Sequence, residues 1–241
     1  MNSCSRKNQE QNLVGIHQPN FLPWLGYFTK ISKSDIFVFL DDVEVQKTGG
    51  SYVNRVAVNS AGKAKWLTVP ILRNAGKSVE IRAIEAADEE WFMEIIRKIR
   101  ILYGEEEYFN EVESLLLSAH EQSGNNLSSF NIEFIQCCAV LLGLGRTQFI
   151  LASRLEIATT ATQRLIDICT ALGCKSYISG DGADGYQDTS AMFEAGINVE
   201  FLNYQQPMYH QNLGQDFLKG LSIIDCIANI GIFATRQLIT K

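Results

Sequence analysis

The side chains best suited to chemistry lie in one short segment near the N-terminus, Ile16-His17-Gln18-Pro19-Asn20-Phe21-Leu22-Pro23-Trp24. This segment holds one of the three histidines and two of the four prolines of the chain. Histidine exchanges a proton near neutral pH, and proline fixes the backbone and removes an N–H donor. We therefore predict that His17 is a general base on a preorganised loop. The alternative is that Pro19 and Pro23 only shape a turn that Trp24 anchors in the core.

Two adjacent carboxylates, Asp41 and Asp42, follow the apolar run Ile36-Phe37-Val38-Phe39-Leu40, which is typical of a buried strand. Successive strand residues point to opposite faces, so only one of the two carboxylates can face the His17 loop. That carboxylate could orient the imidazole, bind a cation or act as a base. The alternative is that it caps a turn through hydrogen bonds to the local backbone.

A candidate anion site lies a few residues further on. Lys47, Asn54 and Arg55 flank the loop Thr48-Gly49-Gly50-Ser51. Backbone amides and two cations at this loop could receive a phosphate or a carboxylate. The alternative interpretation is a solvated hairpin tip.

Two later loops supply further candidates for ligand binding. Ser179 and Asp181 begin a glycine-rich loop that ends at Gly185. The loop lacks the Gly-Lys-Ser/Thr ending of a P-loop and the ligand positions of an EF-hand, so it predicts a binding loop of undefined ligand or a plain turn. Tyr209 and His210 belong to a second aromatic and histidine cluster, which could approach His17 if the sheet brings both loops to one edge. No Gly-x-Ser-x-Gly elbow appears, so covalent catalysis is unsupported.

The elements that must position these residues follow from the hydrophobic pattern. Strands over 13–16 and 35–40, joined by a helix-sized segment, form a βαβ unit and are expected to be parallel. His17 and the Asp41-Asp42 pair then emerge at the carboxyl edge of the sheet, where open α/β sheets bind ligands. Further along, we predict a hairpin over 52–58 and 66–71, a strand over 79–84, helices over 91–103, 106–120, 127–142, 160–172 and 192–195, strands over 147–151, 176–179 and 198–202, and helices over 221–230 and 233–239.

These elements predict an α/β fold with a mostly parallel sheet, flanking helices, a β-hairpin insertion and a helical middle segment. We expect residues 1–12 to be a flexible tail and residues 13–241 to form a single domain. The helical segment over 88–143 could form a cap.

Composition excludes several classes of protein. Hydrophobic residues at 46% and charged residues at 20% are globular values, which exclude a disordered or fibrous chain. A net charge of −6 without a dense Lys/Arg face argues against nucleic acid as a partner. The six cysteines show no Cys-x-x-Cys pair and no histidine at metal spacing, so we expect reduced thiols in the cytoplasm and no metal site. We also expect neither a signal peptide nor a membrane span.

Several segments carry a resemblance to a known family: residues 16–28, Phe39-Leu40-Asp41-Asp42-Val43, Gln46-Lys47 with Asn54-Arg55, Trp66-Leu67-Thr68-Val69-Pro70, Arg164-Leu165-Ile166, Tyr177-Ile178-Ser179-Gly180, Tyr204 with Pro207 and Tyr209, and Leu221-Ser222-Ile223-Ile224-Asp225. On these residues the chain resembles the WbqC-like family, bacterial proteins encoded among genes for O-antigen and other surface polysaccharides. The resemblance implies a cytoplasmic role in making or modifying an activated sugar. The chain departs from the family near Tyr52, where a tryptophan is common, and at 181 and 182, where proline or alanine is common.

Together, the residues and the resemblance lead to the hypothesis of a transferase that moves an acyl or aminoacyl group to a nucleotide-linked amino sugar. His17 would be the general base and Asp41 or Asp42 its orienter. The candidate substrate-binding residues are Gln18, Asn20, Trp24, Lys47, Asn54, Arg55, Ser179, Asp181, Tyr209 and His210.

The sequence leaves the cofactor unknown, the expected partner is a small molecule of the nucleotide-sugar class, and homo-oligomerisation is left open. Two alternatives remain at this point. One is a noncatalytic sugar-nucleotide binding or scaffold protein of the same pathway. The other is a nucleotidyltransferase, which would require a nucleoside triphosphate and Mg²⁺.

Overall fold

A five-stranded parallel sheet forms the centre of the fold in the computed structural model, which describes residues 12–45, 51–72, 78–124, 126–180, 188–212, 214 and 216–240. The strands in chain order are β1 (Leu13–His17), β2 (Ile36–Phe39), β3 (Arg55–Ser60), β4 (Lys63–Thr68), β5 (Gln148–Leu151), β6 (Ser176–Ser179) and β7 (Asn198–Phe201). In space the sheet runs β5-β2-β1-β6-β7, and β3 and β4 form a separate antiparallel pair. The predicted α/β fold class, with its parallel sheet and hairpin, is confirmed.

Helices cover both faces of the sheet and form the middle of the chain. They are α1 (Leu25–Lys33), α2 (Trp91–Tyr103), α3 (Phe109–Ser123), α4 (Leu127–Leu141), α5 (Ala161–Ala171), α6 (Thr189–Glu194) and α7 (Ile223–Ile239), with short 3-10 turns at Ile81–Ala83 and Ala152–Arg154. Among the described residues, none of these helices combines the length and apolarity needed to cross a bilayer.

Alternation along β2 explains how the sheet holds two separate cores. Phe37 and Phe39 pack into a large cluster with α1, the hairpin, α2 to α4 and α7. Ile36 and Val38 face the other way, into a smaller cluster with residues of α5 and α6. Because all four side chains are buried, β2 appears in the sequence as an unbroken apolar run, which is typical of a parallel strand covered on both faces.

The first βαβ unit has the predicted geometry. β1 pairs with β2 in parallel, with His17 opposite Phe39, so the chain leaves both strands at the same edge. β6 pairs with the other side of β1. The chain therefore passes from β1 to β2 on one side and from β6 to β7 on the other. Such a change of direction opens a crevice at the carboxyl ends of β1 and β6. β5 and β6, predicted as a second βαβ-like unit, lie on opposite sides of the β2-β1 pair.

The hairpin forms where predicted, with its turn two residues long. β3 and β4 are joined by Ala61 and Gly62, both with positive φ (51° and 76°), which match the right-handed twist of the strands. β3 begins and ends a few residues later than predicted, and β4 begins and ends a few residues earlier than predicted. Trp66 of β4 contacts Tyr52, which lines the cavity described below.

The predicted strand over 79–84 is wrong. Glu80 makes one isolated bridge to Glu44, and Ile81–Ala83 is a 3-10 turn. The buried side chains are Ile81 and Ile84, three residues apart, whereas Arg82 and Ala83 are exposed. A spacing of three suits a 3-10 turn, and the apparent alternation of the sequence concealed it.

The helical middle segment packs its apolar stripes into the large core. Trp91, Ile95 and Ile99 are buried along one side of α2, as their spacing predicts. Whether residues 88–143 act as a cap stays a prediction. The expected pair of terminal helices forms α7, which is interrupted at Gly231 (φ 76°). A Cβ at this glycine would meet the Tyr108 ring at 2.9 Å, so both the backbone and the packing require glycine.

Candidate functional site

A cavity of about 670 Å³ opens at the carboxyl ends of β1 and β6. This volume falls in the range of small-molecule sites. Its lining includes the aromatic rings of His17, Trp24, Tyr27, Tyr52, Tyr177 and Tyr204, together with aliphatic side chains. The polar side chains of the lining include Gln18, Asn20, Lys30 and Arg164.

His17 is the last residue of β1 and lies against two of these rings. Its imidazole centroid is 4.8 Å from that of Tyr27 and 6.0 Å from that of Trp24, both edge-on. Burial and, to a smaller extent, the charge of Lys30 lower the pKa of His17 to about 3, although the hydrogen bond to the Gln18 carbonyl acts in the opposite direction. The imidazole is therefore neutral at physiological pH.

The hydrogen bond made by Nδ1 defines the tautomer of His17. Nδ1 lies 3.0 Å from the carbonyl oxygen of Gln18, and a carbonyl can only accept. Nδ1 therefore carries the proton, which leaves Nε2 with a lone pair. The Tyr27 hydroxyl donates to the same carbonyl at 2.9 Å and helps to hold it in place. His17 is thus a preorganised hydrogen-bond acceptor, but with this pKa it is a weak base.

Lys30, on α1, is the functional candidate that the sequence reasoning missed. Its side chain is buried, with 4% exposure, and Nζ donates to the carbonyl of Ile16 at 2.8 Å. Nζ also lies 5.5 Å from the centroid of the Tyr177 ring, whose face attracts a cation. Throughout the ranges that the structure describes, no carboxylate forms an ion pair with Lys30.

Burial lowers the pKa of Lys30 to about 7, because water no longer solvates the ammonium. A substantial share of the amine is therefore unprotonated near neutral pH. A signal for this burial exists in the sequence. Lys30 lies three residues after Tyr27 and one before Ile31, so it falls on the apolar stripe of α1 where a solvated lysine is not expected.

The two adjacent carboxylates are bound within the protein. Asp41 accepts from the backbone N–H of Ser153 at 2.9 Å and from its hydroxyl at 2.6 Å. Asp42 forms an ion pair with Nη2 of Arg164 at 2.6 Å, and Nη1 of this arginine donates to the carbonyls of Ile157 and Thr159. The expected orienter of His17, Asp41 or Asp42, is therefore replaced by the Gln18 carbonyl.

Predicted substrate-binding residues fall into two groups. Gln18, Asn20 and Trp24 line the cavity together with His17. Asn54 and Arg55 do not line it, since Nδ2 of Asn54 donates to the carbonyl of Val69 and Arg55 stacks on Trp66.

Two more predicted residues lie within the described part of the chain, and two lie outside it. Ser179 is buried at the end of β6 and its hydroxyl donates to the Gly180 carbonyl, which borders the cavity. His210 is exposed and does not line the cavity. Lys47 and Asp181 lie outside the described residues.

Tyr209 belongs to a separate buried network. Its hydroxyl donates to Oδ2 of Asp225 at 2.7 Å, and Nε2 of Gln211 donates to the same oxygen at 3.1 Å. Burial raises the pKa of Asp225, although its hydrogen bonds act in the opposite direction. This network ties the loop after β7 to α7, and Leu202 and Tyr204 are the described residues of that loop that line the cavity.

The chain is similar to known proteins over nearly its whole length. A family model described as the WbqC-like protein family matches residues 18–237. A similar protein, described as "Uncharacterized protein Rv1507c", occurs in Mycobacterium tuberculosis (strain ATCC 25618 / H37Rv). The two are 27% identical over 226 residues, which cover 93% of this chain and 96% of that protein. No solved structure matches.

Proposed function

The chain belongs to the WbqC-like protein family, and from this premise and the cavity we propose that it is an enzyme of bacterial surface-polysaccharide assembly. It transfers an acyl or aminoacyl group to the amine of a nucleotide-linked amino sugar. The observation that carries the proposal is a buried amine beside a neutral imidazole in a cavity walled by aromatic rings.

The aromatic walls support a sugar ligand. Trp24 and Tyr204, which line the cavity and are half-buried, present apolar ring surface, against which the C–H face of a pyranose ring can pack, while scattered polar groups bind its hydroxyls. Gln18 and Asn20 supply such groups at the end of β1. A cavity of this type binds a small polar ring better than it binds a long apolar chain.

The chemistry follows from the protonation states. The sugar amine attacks the carbonyl carbon of the acyl donor, a C–N bond forms, and the leaving group departs with the electrons of its own bond to that carbon. The attacking nitrogen must lose one proton. Nζ of Lys30, with its pKa near 7, is matched to accept a proton at physiological pH.

His17 takes a different part in this mechanism from the one its residue type predicts. With a pKa of about 3 its imidazole is too weakly basic to accept the proton efficiently near neutral pH, so the role of general base moves from His17 to Lys30. Nε2 of His17 accepts a hydrogen bond from the sugar amine and aligns its lone pair with the acyl carbon. The carbonyl of Gln18 keeps the ring in the required tautomer.

A turnover assay tests the proposal. The purified chain is incubated with uridine- or thymidine-diphosphate amino sugars, with either acetyl-CoA or an amino acid and ATP as donor, and products are read by mass spectrometry. We expect an acylated sugar nucleotide, and a rate at least about 100-fold lower for His17→Ala.

Circular dichroism verifies that the His17→Ala variant is folded. Unchanged turnover in a folded His17→Ala variant would contradict the assignment of this cavity. Binding of the sugar nucleotide without turnover by any donor would instead support the scaffold protein. Release of pyrophosphate with a nucleoside triphosphate and Mg²⁺ would support the nucleotidyltransferase.

A further inference from the structure

Aromatic rings continue from the cavity onto the outer surface of the hairpin. The centroid of Trp24, beside His17, lies 5.9 Å from that of Tyr52 at the cavity mouth. Tyr52 in turn lies 5.8 Å from Trp66, which projects from β4. We call Trp24, Tyr52 and Trp66 the aromatic track. It joins the wall of the cavity to a surface that the cavity does not include.

The outer part of the track is exposed to solvent. Tyr52 and Trp66 are 53% and 50% exposed, although each could bury well over 100 Å² of ring surface. Adjacent exposed rings at the mouth of a cavity form an apolar patch, and such patches commonly mark binding sites. Trp66 lies beside the cavity, since it contacts Tyr52, which lines the cavity.

The track is held rigidly. The carbonyl of Tyr52 accepts from the backbone N–H of Phe21 at 2.8 Å, which ties it to the loop after β1. The guanidinium carbon of Arg55 lies 4.3 Å from the centroid of the Trp66 ring, and Trp66 pairs with Ala57 in the hairpin. A platform that is already ordered loses little conformational entropy when a ligand binds.

We propose that Tyr52 and Trp66 form a stacking subsite for the nucleobase of a nucleoside diphosphate. A nucleotide-linked sugar is an elongated ligand with a sugar at one end, a planar base at the other and a diphosphate between them. The deep end of the site holds the amine and the imidazole, whereas the outer end offers aromatic rings and a guanidinium. The sugar portion of this placement rests on the proposed function, while the base portion does not require turnover.

The chemistry of the outer end favours a base over a second sugar. Nucleobases stack on aromatic rings and on arginine planes, and the positive charge of Arg55 is placed next to the ring that would receive the base. Any base offers a π face, so the subsite is expected to bind several nucleoside diphosphates with modest preference.

Isothermal titration calorimetry with UDP, dTDP, CDP, GDP and ADP tests the subsite on the full chain. We expect at least one of these probes to bind the wild type. The Tyr52 and Trp66 rings are inclined at 65°, so a planar base stacks on one ring and contacts the edge of the other. Trp66→Ala and Tyr52→Ala should each weaken that binding by about 5- to 100-fold, as expected for loss of one aromatic partner. Trp66→Phe, which keeps a ring, should retain most of the affinity.

Phe233→Ala is the matched control, because Phe233 is an exposed aromatic residue on α7 that does not line the cavity. Its affinity for the probe should equal that of the wild type. The inference would be overturned if Trp66→Ala and Tyr52→Ala both bound the probe with the affinity of the wild type. It would also be overturned if no probe bound the wild type. Ring-dependent binding of UDP together with no transfer in any assay would uphold the subsite and reject the proposed reaction.

Discussion

Two polar centres lie at the same edge of the parallel sheet, and they differ in how their charges are neutralised. In the first, Asp41 is bonded twice by Ser153 and Asp42 is paired with Arg164. In the second, Lys30 is buried with a carbonyl and a ring face as its partners, next to the neutral His17. The first centre is complete without a ligand. The second keeps proton-exchanging capacity that the fold itself does not use.

The difference separates a structural role from a chemical one. Burying an ion pair costs desolvation energy, which the attraction between its two charges offsets. Such a pair can therefore have a purely structural role. A buried amine without a carboxylate regains little, and its pKa falls until much of it is neutral. Such perturbed groups in cavities are candidates for catalysis. Residue type alone would have ranked the two aspartates above the lysine.

Replacing Lys30 should produce the largest effect. Lys30→Met removes the proton acceptor, and we expect turnover to fall by about 10²- to 10⁴-fold. The fold should be retained, because exchanging a buried charge for an apolar group of similar size is often neutral or stabilising. In the wild type the rate should rise with pH through about 7, as Lys30 loses its proton, and the variant should lose this rise.

Lys98→Met is the matched control for this prediction, since Lys98 is an exposed lysine that forms an ion pair with Glu94 on α2. It should keep both the rate and the pH profile of the wild type. A Lys30→Met enzyme with normal turnover would place the proton acceptor elsewhere and remove the distinction between the two centres.

Breaking the paired centre should instead lower stability. Asp42→Asn leaves the guanidinium of Arg164 buried without a counter-charge, and we expect the free energy of unfolding to fall by about 2–4 kcal/mol. Urea denaturation provides the measurement. Glu94→Gln, in an exposed pair at i and i+4, should cost at most about 0.5 kcal/mol. A similar small loss for Asp42→Asn would show that the buried pair contributes no more than the surface pair.

The smallest effect concerns the stability of the protein in mild acid. The unfolded chain protonates His17 below pH 6.5, whereas the folded protein does so only near pH 3, so the unfolded state binds more protons between these values. Stability is therefore lost as the pH falls, by about 2 kcal/mol from this group between pH 7 and pH 5. In His17→Gln this part of the loss should disappear, which urea denaturation at the two pH values would measure.

His210→Gln serves as the control, because His210 is exposed and outside the cavity. It should reproduce the pH dependence of the wild type. If His17→Gln loses as much stability in acid as the wild type does, the imidazole is protonated in the folded state and its assigned role as an acceptor fails.

The sheet edge was predictable from the sequence because local patterns determine it. The apolar runs that end at His17 and before Asp41 are strand-like, and a helix-sized connection between them requires a parallel pair. The strand expected over 79–84 failed for the opposite reason. There the sequence alternates like a strand, but the buried Ile81 and Ile84 are three residues apart, as in a 3-10 turn. Only the packing of the surrounding chain decides between the strand and the turn.

The partners of each polar group were not predictable, since they come from distant parts of the chain. Asp41 meets Ser153 and Asp42 meets Arg164 across separations of 112 and 122 residues. No local pattern encodes such contacts. Lys30 was detectable in principle from its position on the buried stripe of α1, but a lysine type normally indicates a solvated face.

The aromatic track also determines how the intrinsic tryptophan fluorescence of the protein responds to a ligand. Of the three tryptophans in the chain, Trp24 and Trp66 belong to the track and Trp91 is enclosed in the core, with 2% exposure. Indole emission responds to the polarity and to the neighbours of the ring. The emission of Trp24 and Trp66 should therefore depend on whether the site is occupied. The emission of Trp91 should change only when the protein unfolds. Intrinsic emission can thus separate ligand binding from denaturation in a single label-free spectrum.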